Sequence, residues 1–386
     1  MSCCLISLAK QVPLTLTLKV LQRGSNVNPA DIKGRAVLLG HSNRSLIELE
    51  DTLTSFDMSP SRLEEPLPNA PAGGFPKHLA EDSRAAKVDV FDASSATVDN
   101  VVESLIRTGG CVVRNLVSRD DVRNIDADVR PYILKDQPWQ GDFFPPETRR
   151  VTGLVQKSPT FTRKVLGNEL YQEVCNRLIS STHDAWLGQK LERSVAPPQV
   201  NNTIVFSIAP GAKRQELHRD DMNYHNELPA LDSHADYTVG RDCAVGLFVA
   251  GKKTTRANGA TRFIPRSHLW AKTQPPNEDL CYYAELEPGD AFIMLASAYH
   301  GGSANTTTDE ERLVFSCFMI KGTLRQEENQ FLANSLDSVR QYDARLQKII
   351  GYSVSMPWLG WVDFDDPRNL LLNGGQAKEK IDHYGS

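Results

Sequence analysis

A chain of 386 residues, 40% hydrophobic and 24% charged, has the composition of a globular protein. It suits one large catalytic domain with an appendage, or two domains. With 43 Lys+Arg against 48 Asp+Glu, a net charge of −5 and no dense basic block, nucleic acid is excluded as an expected partner. The 7 cysteines are scattered without a Cys-x-x-Cys pair, which indicates neither a disulfide scaffold nor a structural zinc site. No apolar run approaches the roughly 20 residues that span a bilayer, so no membrane partner and a cytoplasmic setting are expected.

In chain order, residues 1–86 read as an N-terminal extension. Met1 to Leu21 begins apolar, but Lys10 interrupts it and no small-residue cleavage site follows, so a secretory signal is weakly supported. From Ser59 to Ala86 the five prolines and the Gly73-Gly74 pair describe an extended linker or an arm. Globular patterning begins near Val88. Ser95 is placed to cap a helix from Thr97 to Thr108, stopped by Gly109-Gly110, and Cys111-Val112-Val113 reads as a short strand. Ser118 caps a second helix carrying Val122, Ile125 and Val129 on one face. Asp136 to Pro146 is a loop rich in aromatic and proline residues, of the kind that forms pocket rims or packs on a surface. Phe161 to Leu187 has helical spacing.

From Val200 the pattern changes to short apolar strands between turns: Thr203–Ile208, Cys243–Val249, Thr261–Ile264, Ala284–Leu286, Ala291–Leu295 and Leu313–Ile320. Such spacing predicts an antiparallel barrel or jelly roll with flanking helices. Ser335 to Gly351 is helical in pattern. Beyond it, the patch Pro357-Trp358-Leu359-Gly360-Trp361 is expected to cover the barrel or a partner subunit, which leaves a homodimer open.

Within the strand-rich half, Gln215 to His225 carries a possible metal site. On an extended segment, His218 and Asp220, two residues apart, project from one face. A third ligand from a distant strand would complete a 2-His-1-carboxylate triad, which leaves open positions and favours Fe(II). His300, in Tyr299-His300-Gly301-Gly302, is the best candidate; it sits just past a strand, where the two glycines would let the backbone pass close to a metal. Arg312 opens the last strand, expected beside the one ending at His300, and a planar guanidinium there suits a ligand carboxylate. A His-x-Asp pair alone is common by chance, and Arg312 alone reads equally well as a surface charge. His225, His234 and His268 read as hydrogen-bonded structural histidines, and Arg266 and His268 as pins for the turn after Ile264-Pro265.

Taken together, Gln215-x-x-His218-x-Asp220, Asn258-Gly259-Ala260-Thr261-Arg262-Phe263-Ile264-Pro265, Pro288-Gly289-Asp290, His300-Gly301-Gly302-x-x-Asn305 and Arg312 resemble the phytanoyl-CoA dioxygenase family. Leu324 to Gln330 and Gly360-Trp361-Val362 are similar to its fungal natural-product branch. The resemblance covers roughly residues 87–370. It implies a double-stranded β-helix dioxygenase domain over 87–386, with Fe(II), 2-oxoglutarate and O2 as cofactor and co-substrates. By position, it implies His218, Asp220 and His300 as catalytic iron ligands, and Arg312, Gln215 and Thr261 as contacts to 2-oxoglutarate. The chemistry implied is decarboxylation of 2-oxoglutarate to succinate and CO2, coupled to hydroxylation, desaturation or rearrangement of a substrate. Because Asp220 is present, the halogenase variant is disfavoured. The last strand carries Phe318-Met319-Ile320 where part of that branch has a tyrosine, which speaks against endoperoxide chemistry.

Three readings of function follow. The first is oxidation of a small, neutral, largely apolar fungal secondary metabolite, with Trp139, Phe143, Phe144, Trp358 and Trp361 as aromatic lining. The second is acyl-CoA 2-hydroxylation, whose substrate phosphates would need several basic residues at the pocket rim; alternation turns Arg219 and Arg262 away from it. The third is a non-catalytic barrel that binds a metabolite.

Overall fold

The computed structural model describes residues 75–373, residue 142 excepted. The expectations for Met1 to Leu21 and for most of the Pro-rich stretch lie outside the described residues. Mainly β architecture with flanking helices, as expected, follows from two sheets. The larger one has seven strands: β1 (Val90–Asp92), β2 (Gly110–Arg114), β3 (Thr148–Thr152), β6 (Gln199–Ile208), β7 (Ala244–Ala250), β10 (Ala291–Leu295) and β12 (Arg312–Ile320). Their spatial order is β1-β2-β10-β7-β12-β6-β3, antiparallel throughout except β1 with β2. The smaller sheet orders β11 (His300–Gly302), β8 (Thr261–Phe263) and β9 (Tyr282–Ala284). A bridge between His218 and His300 extends its free edge. Side chains of both sheets line one cavity, the inside of the double-stranded β-helix.

Strand β12 shows how the sequence builds that cavity. Its nine residues are all buried, so it is a central strand covered on both faces. Leu313, Phe315, Cys317 and Met319 belong to the main core. The alternate residues Arg312, Val314, Ser316 and Phe318 face the cavity. Register places Ile208, Phe206, Ile204 and Asn202 of β6 opposite those four in turn, giving a second cavity-facing row.

Helices close the outer face. The helix α1 (Lys77–Ala85) falls inside the stretch expected to be a linker or arm. Phe75, Leu79 and Ala80 pack on Ile264, Trp270 and Leu280, and Ser83 Oγ donates to Pro265 O at 2.8 Å. Helix α2 (Val98–Thr108) is capped by Thr97, not Ser95. Asn100 sits three residues after Thr97 and reciprocates its bond, a capping box, whereas Ser95 Oγ is engaged by Asp92 O. Ser118 caps α3 (Arg119–Ile133), as the sequence predicts. The helical pattern after Phe161 ends with α4 (Glu169–Ile179). Ser181–Leu187 is instead β4, paired with β5 (Lys190–Ala196) in a hairpin. That hairpin is largely solvent-exposed, so no buried face imposed a period of two on its sequence. Helices over Leu336–Arg340 and Ala344–Ile350 follow the expected pattern.

Candidate active site

The two histidines are brought together by backbone pairing. His218 N donates to His300 O and His300 N to His218 O, each at 2.9 Å, and such directly opposed residues project to the same side. Their ring centroids lie 4.5 Å apart. Asp220 does not continue the strand, contrary to expectation: it opens a short 3-10 helix, Asp220–Tyr224. Its N–H is anchored to Ala296 O at 3.0 Å. The turn delivers the same result that alternation would have, because Asp220 Oδ1 is 3.4 Å from His218 Nε2 and Oδ2 is 3.3 Å from His300 Nε2. One donor atom from each of the three lies within 4.8 Å of the others, a spacing that could hold a metal ion.

Electrostatics suit a cation. Burial alone would raise the Asp220 carboxyl, but His300 and the hydrogen bonds from both imidazoles hold it well below the usual carboxylate range. Burial works against charge on His218, yet its bond with Asp220 outweighs this and raises the imidazole. Both rings turn Nδ1 to a backbone carbonyl, His218 to Glu216 O at 2.8 Å and His300 to Ala298 O at 3.1 Å. In the neutral ring that places the proton on Nδ1 and aims the Nε2 lone pair at the shared centre; in the protonated ring Nε2–H donates to Asp220 instead. Asp221 faces elsewhere, held by Asn226.

His300 opens β11 rather than following a strand, and Arg312 reaches the cavity from a different sheet; β12 pairs with β6 and β7, not with β11. The glycines after His300 serve neighbours other than a metal. A Cβ on Gly301 would lie 3.1 Å from Glu216 O, and one on Gly302 3.1 Å from Gln215 Oε1. Gln215 Oε1 accepts from Gly302 N at 2.9 Å, and Thr261 is the register partner of Gly302. Arg312 Nη2 donates to Thr261 Oγ1 at 2.7 Å. Gln215, Thr261 and Arg312 thus gather two residues along β11 from His300.

Arg312 is 4% exposed and its Nε has no hydrogen-bond partner among the described residues. Burial, with no carboxylate neighbour among the described residues, pulls its guanidinium down to about 10. A buried fork with an unmatched donor is unfavourable unless an anion meets it. A dicarboxylate fits that requirement, with the far carboxylate on Arg312 and the near end at the triad about 7 Å away along β11.

Arg262 and Arg219 both lie off the cavity, as expected, although for Arg219 the strand alternation behind that expectation is not present. Arg262 is buried and bonded to Glu278, Gly302 O and Gln215 O; Arg219 donates to Ser267 O and stacks on Tyr299. His268 is buried with Nε2 at Ile106 O, 2.9 Å, a structural role. Of the aromatic lining expected, Phe143 and Phe144 border the cavity, whereas Trp139, Trp358 and Trp361 do not. Trp139 packs under Arg150 and Trp361 stacks on Phe364. Missed by the sequence reading were Phe248, Asn202 and Lys213, which also border the cavity. Asn202 left a visible signal, a polar residue in a cavity-facing row whose other members, Ile204, Phe206 and Ile208, are apolar.

A cavity between two sheets of a double-stranded β-helix, with a His-Asp-His cluster beside a buried arginine, defines the class of non-haem iron oxygenases that use a 2-oxo acid. Residues 105–314 match the phytanoyl-CoA dioxygenase (PhyH) family, and the chain belongs to it. It is an Fe(II)- and 2-oxoglutarate-dependent dioxygenase. It is 42% identical over 302 residues to dioxygenase himG of Aspergillus japonicus, covering 76% of this chain and 93% of the relative. With dioxygenase peniF of Penicillium patulum it shares 43% identity over 280 residues, 72% of this chain and 90% of the relative. Dioxygenase cnsJ of Penicillium expansum is 36% identical over 316 residues, 80% and 93% of the two chains.

Proposed function

We propose that His218, Asp220 and His300 hold the iron, that Arg312, Thr261 and Gln215 hold 2-oxoglutarate, and that the reaction oxidises a small, largely apolar secondary metabolite. The observation that carries this assignment is the buried Arg312, which no carboxylate among the described residues meets, two residues along the small sheet from His300. Iron with 2-oxoglutarate supplies O2 activation for attack on a substrate C–H bond. Asp220 supplies the negative charge that offsets part of the cation, and the two Nδ1 bonds hold the histidines in the ligand tautomer. Thr261 orients the guanidinium, and Gln215 ties Gly302 so that the two ends of the co-substrate site keep their separation. Phe206, Phe248, Phe318 and Phe144 exclude water and present an apolar surface to the substrate.

Acyl-CoA is less well matched. Apart from Arg312, Lys213 is the one basic residue bordering the cavity among the described residues, and a nucleotide phosphate group calls for several. The test is substrate-coupled succinate formation with long-chain acyl-CoAs beside a panel of small apolar metabolites. Coupling to the latter is expected; efficient coupling to thioesters alone would restore the acyl-CoA reading. No succinate with any substrate, in protein that binds iron, would favour a metabolite-binding barrel.

A further inference from the structure

The cavity has a second polar end, opposite Arg312. Along β12, Arg312 and Phe318 are six residues apart, about 20 Å on one wall, and Asn202 is the register partner of Phe318. The triad lies between: Phe248, opposite Ser316 in register, is 6.3 Å ring to ring from His300. A five-carbon diacid anchored on Arg312 cannot reach past the triad to this end, which therefore belongs to the substrate.

Two acceptors stand there without a donor. Asn202 is 7% exposed. Its Nδ2 donates to Glu327 Oε2 at 2.8 Å, which orients the amide, and its Oδ1 has no partner among the described residues. Glu327 Oε2 also accepts from Asn201 Nδ2 at 3.2 Å, while Oε1 meets no donor among the described residues. No Lys or Arg of the described residues pairs with this carboxylate. It is nonetheless firmly placed, since Glu327 N donates to Asn201 Oδ1 at 2.7 Å and Tyr224 OH donates to that same oxygen at 2.7 Å. The aromatic ring of Phe318, set edge to face against Phe248 at 5.6 Å, borders the same end.

We propose that Glu327 and Asn202 form a recognition site for a basic nitrogen, so that the substrate is a largely apolar molecule carrying a protonated amine. An ammonium offers several donors and no acceptor; Glu327 Oε1 and Asn202 Oδ1 take two of them, and the ring of Phe318 offers a π-face. A hydroxyl satisfies one acceptor and leaves the carboxylate charge uncompensated; a carboxylate is repelled. This rests on the assignment of the Arg312 end to 2-oxoglutarate, and it replaces the neutral substrate expected from sequence with a cationic one. Held at that end, such a molecule has its carbon skeleton beside the triad.

The test uses three probes with one ring system and different ends: tryptamine, tryptophol and indole-3-acetate. Their binding to the full chain is measured by calorimetry, without metal and with Fe(II) and 2-oxoglutarate under anaerobic conditions. Tryptamine is expected to bind at least tenfold more tightly than tryptophol, with indole-3-acetate weakest. Glu327→Gln, nearly isosteric, should abolish the preference for tryptamine while Fe(II) and 2-oxoglutarate bind as in the wild type; Glu327→Ala should do the same. Equal binding of the three probes, no binding of tryptamine, or a preference that survives both variants would overturn the proposal. Failure of the iron and 2-oxoglutarate assignment would show separately, as wild-type protein that does not take up the metal and co-substrate.

Discussion

At the residue scale, the proposed division of the cavity makes His300 and Arg312 separable. His300 is held by its backbone bridge to His218, which an alanine keeps, so His300→Ala should fold as the wild type does. It should lose Fe(II) binding, since two remaining ligands no longer define a face of the coordination sphere. Circular dichroism with an anaerobic Fe(II) titration checks both halves; full activity in His300→Ala would remove it from the ligand set. Arg312→Leu should leave Fe(II) binding nearly intact. The co-substrate carboxylate would lose its partner in a buried site, a cost of about 3–5 kcal/mol, which corresponds to a rise in 2-oxoglutarate Kd of roughly 100-fold or more. A change below tenfold would mean that another cation, with Lys213 the first to examine, holds that carboxylate.

At the scale of elements, the residue before Arg312 ties the barrel to its helical flank. Glu311 accepts from Arg130 of α3, from Lys252 just after β7 and from Ser207 of β6. Burial alone would raise its carboxyl, but those three donors hold it down at about 2. The unfolded chain therefore binds a proton on this group more tightly than the folded one. Its contribution is full above about pH 5 and disappears as pH falls through roughly 4.5 towards 2. Glu311→Gln should cost about 1–3 kcal/mol at pH 7, discounted for partial exposure, and the deficit should shrink by pH 3 in urea unfolding. A deficit that does not change with pH would mean packing, not charge, is lost. The same scale shows what the sequence could and could not reveal. Strands β7, β10 and β12 were legible because both sides are buried and apolar residues dominate them, and β6 only over its more apolar second half, Thr203 to Ile208. The β4–β5 hairpin was not, because solvent on its surfaces leaves no pattern to read. The pairing of His218 with His300 is long-range, so local spacing identified the residues but placed Asp220 on a strand that turns into a 3-10 helix instead. The partnering of Arg312 with Thr261 across two sheets depends on topology, which no local motif encodes.

At the scale of the molecule, α1 connects the surface to the site, a link hidden in the sequence because a Pro-rich approach precedes its nine helical residues. Phe75 meets Trp270 edge to face at 5.4 Å, Trp270 lies 6.3 Å from Tyr299, and Arg219 stacks on Tyr299 at 4.3 Å. Tyr299 immediately precedes His300, and its N–H is held by Ser267 Oγ at 2.8 Å. The segment that carries His300 is thus backed by a layer whose outer face is α1. Removing residues 1–86 would uncover Ile264, Trp270 and Leu280 and break the Ser83 bond to Pro265 O. Three partly buried apolar contacts and one buried hydrogen bond amount to about 2–5 kcal/mol. The expected outcome is that a chain lacking residues 1–86 melts several degrees below one lacking residues 1–74, and binds Fe(II) more weakly because Tyr299 loses its backing. Differential scanning calorimetry and Fe(II) titration on the two truncations, side by side, decide it. If the two chains match in melting temperature and in Fe(II) affinity, α1 only covers the surface and the site is braced from within.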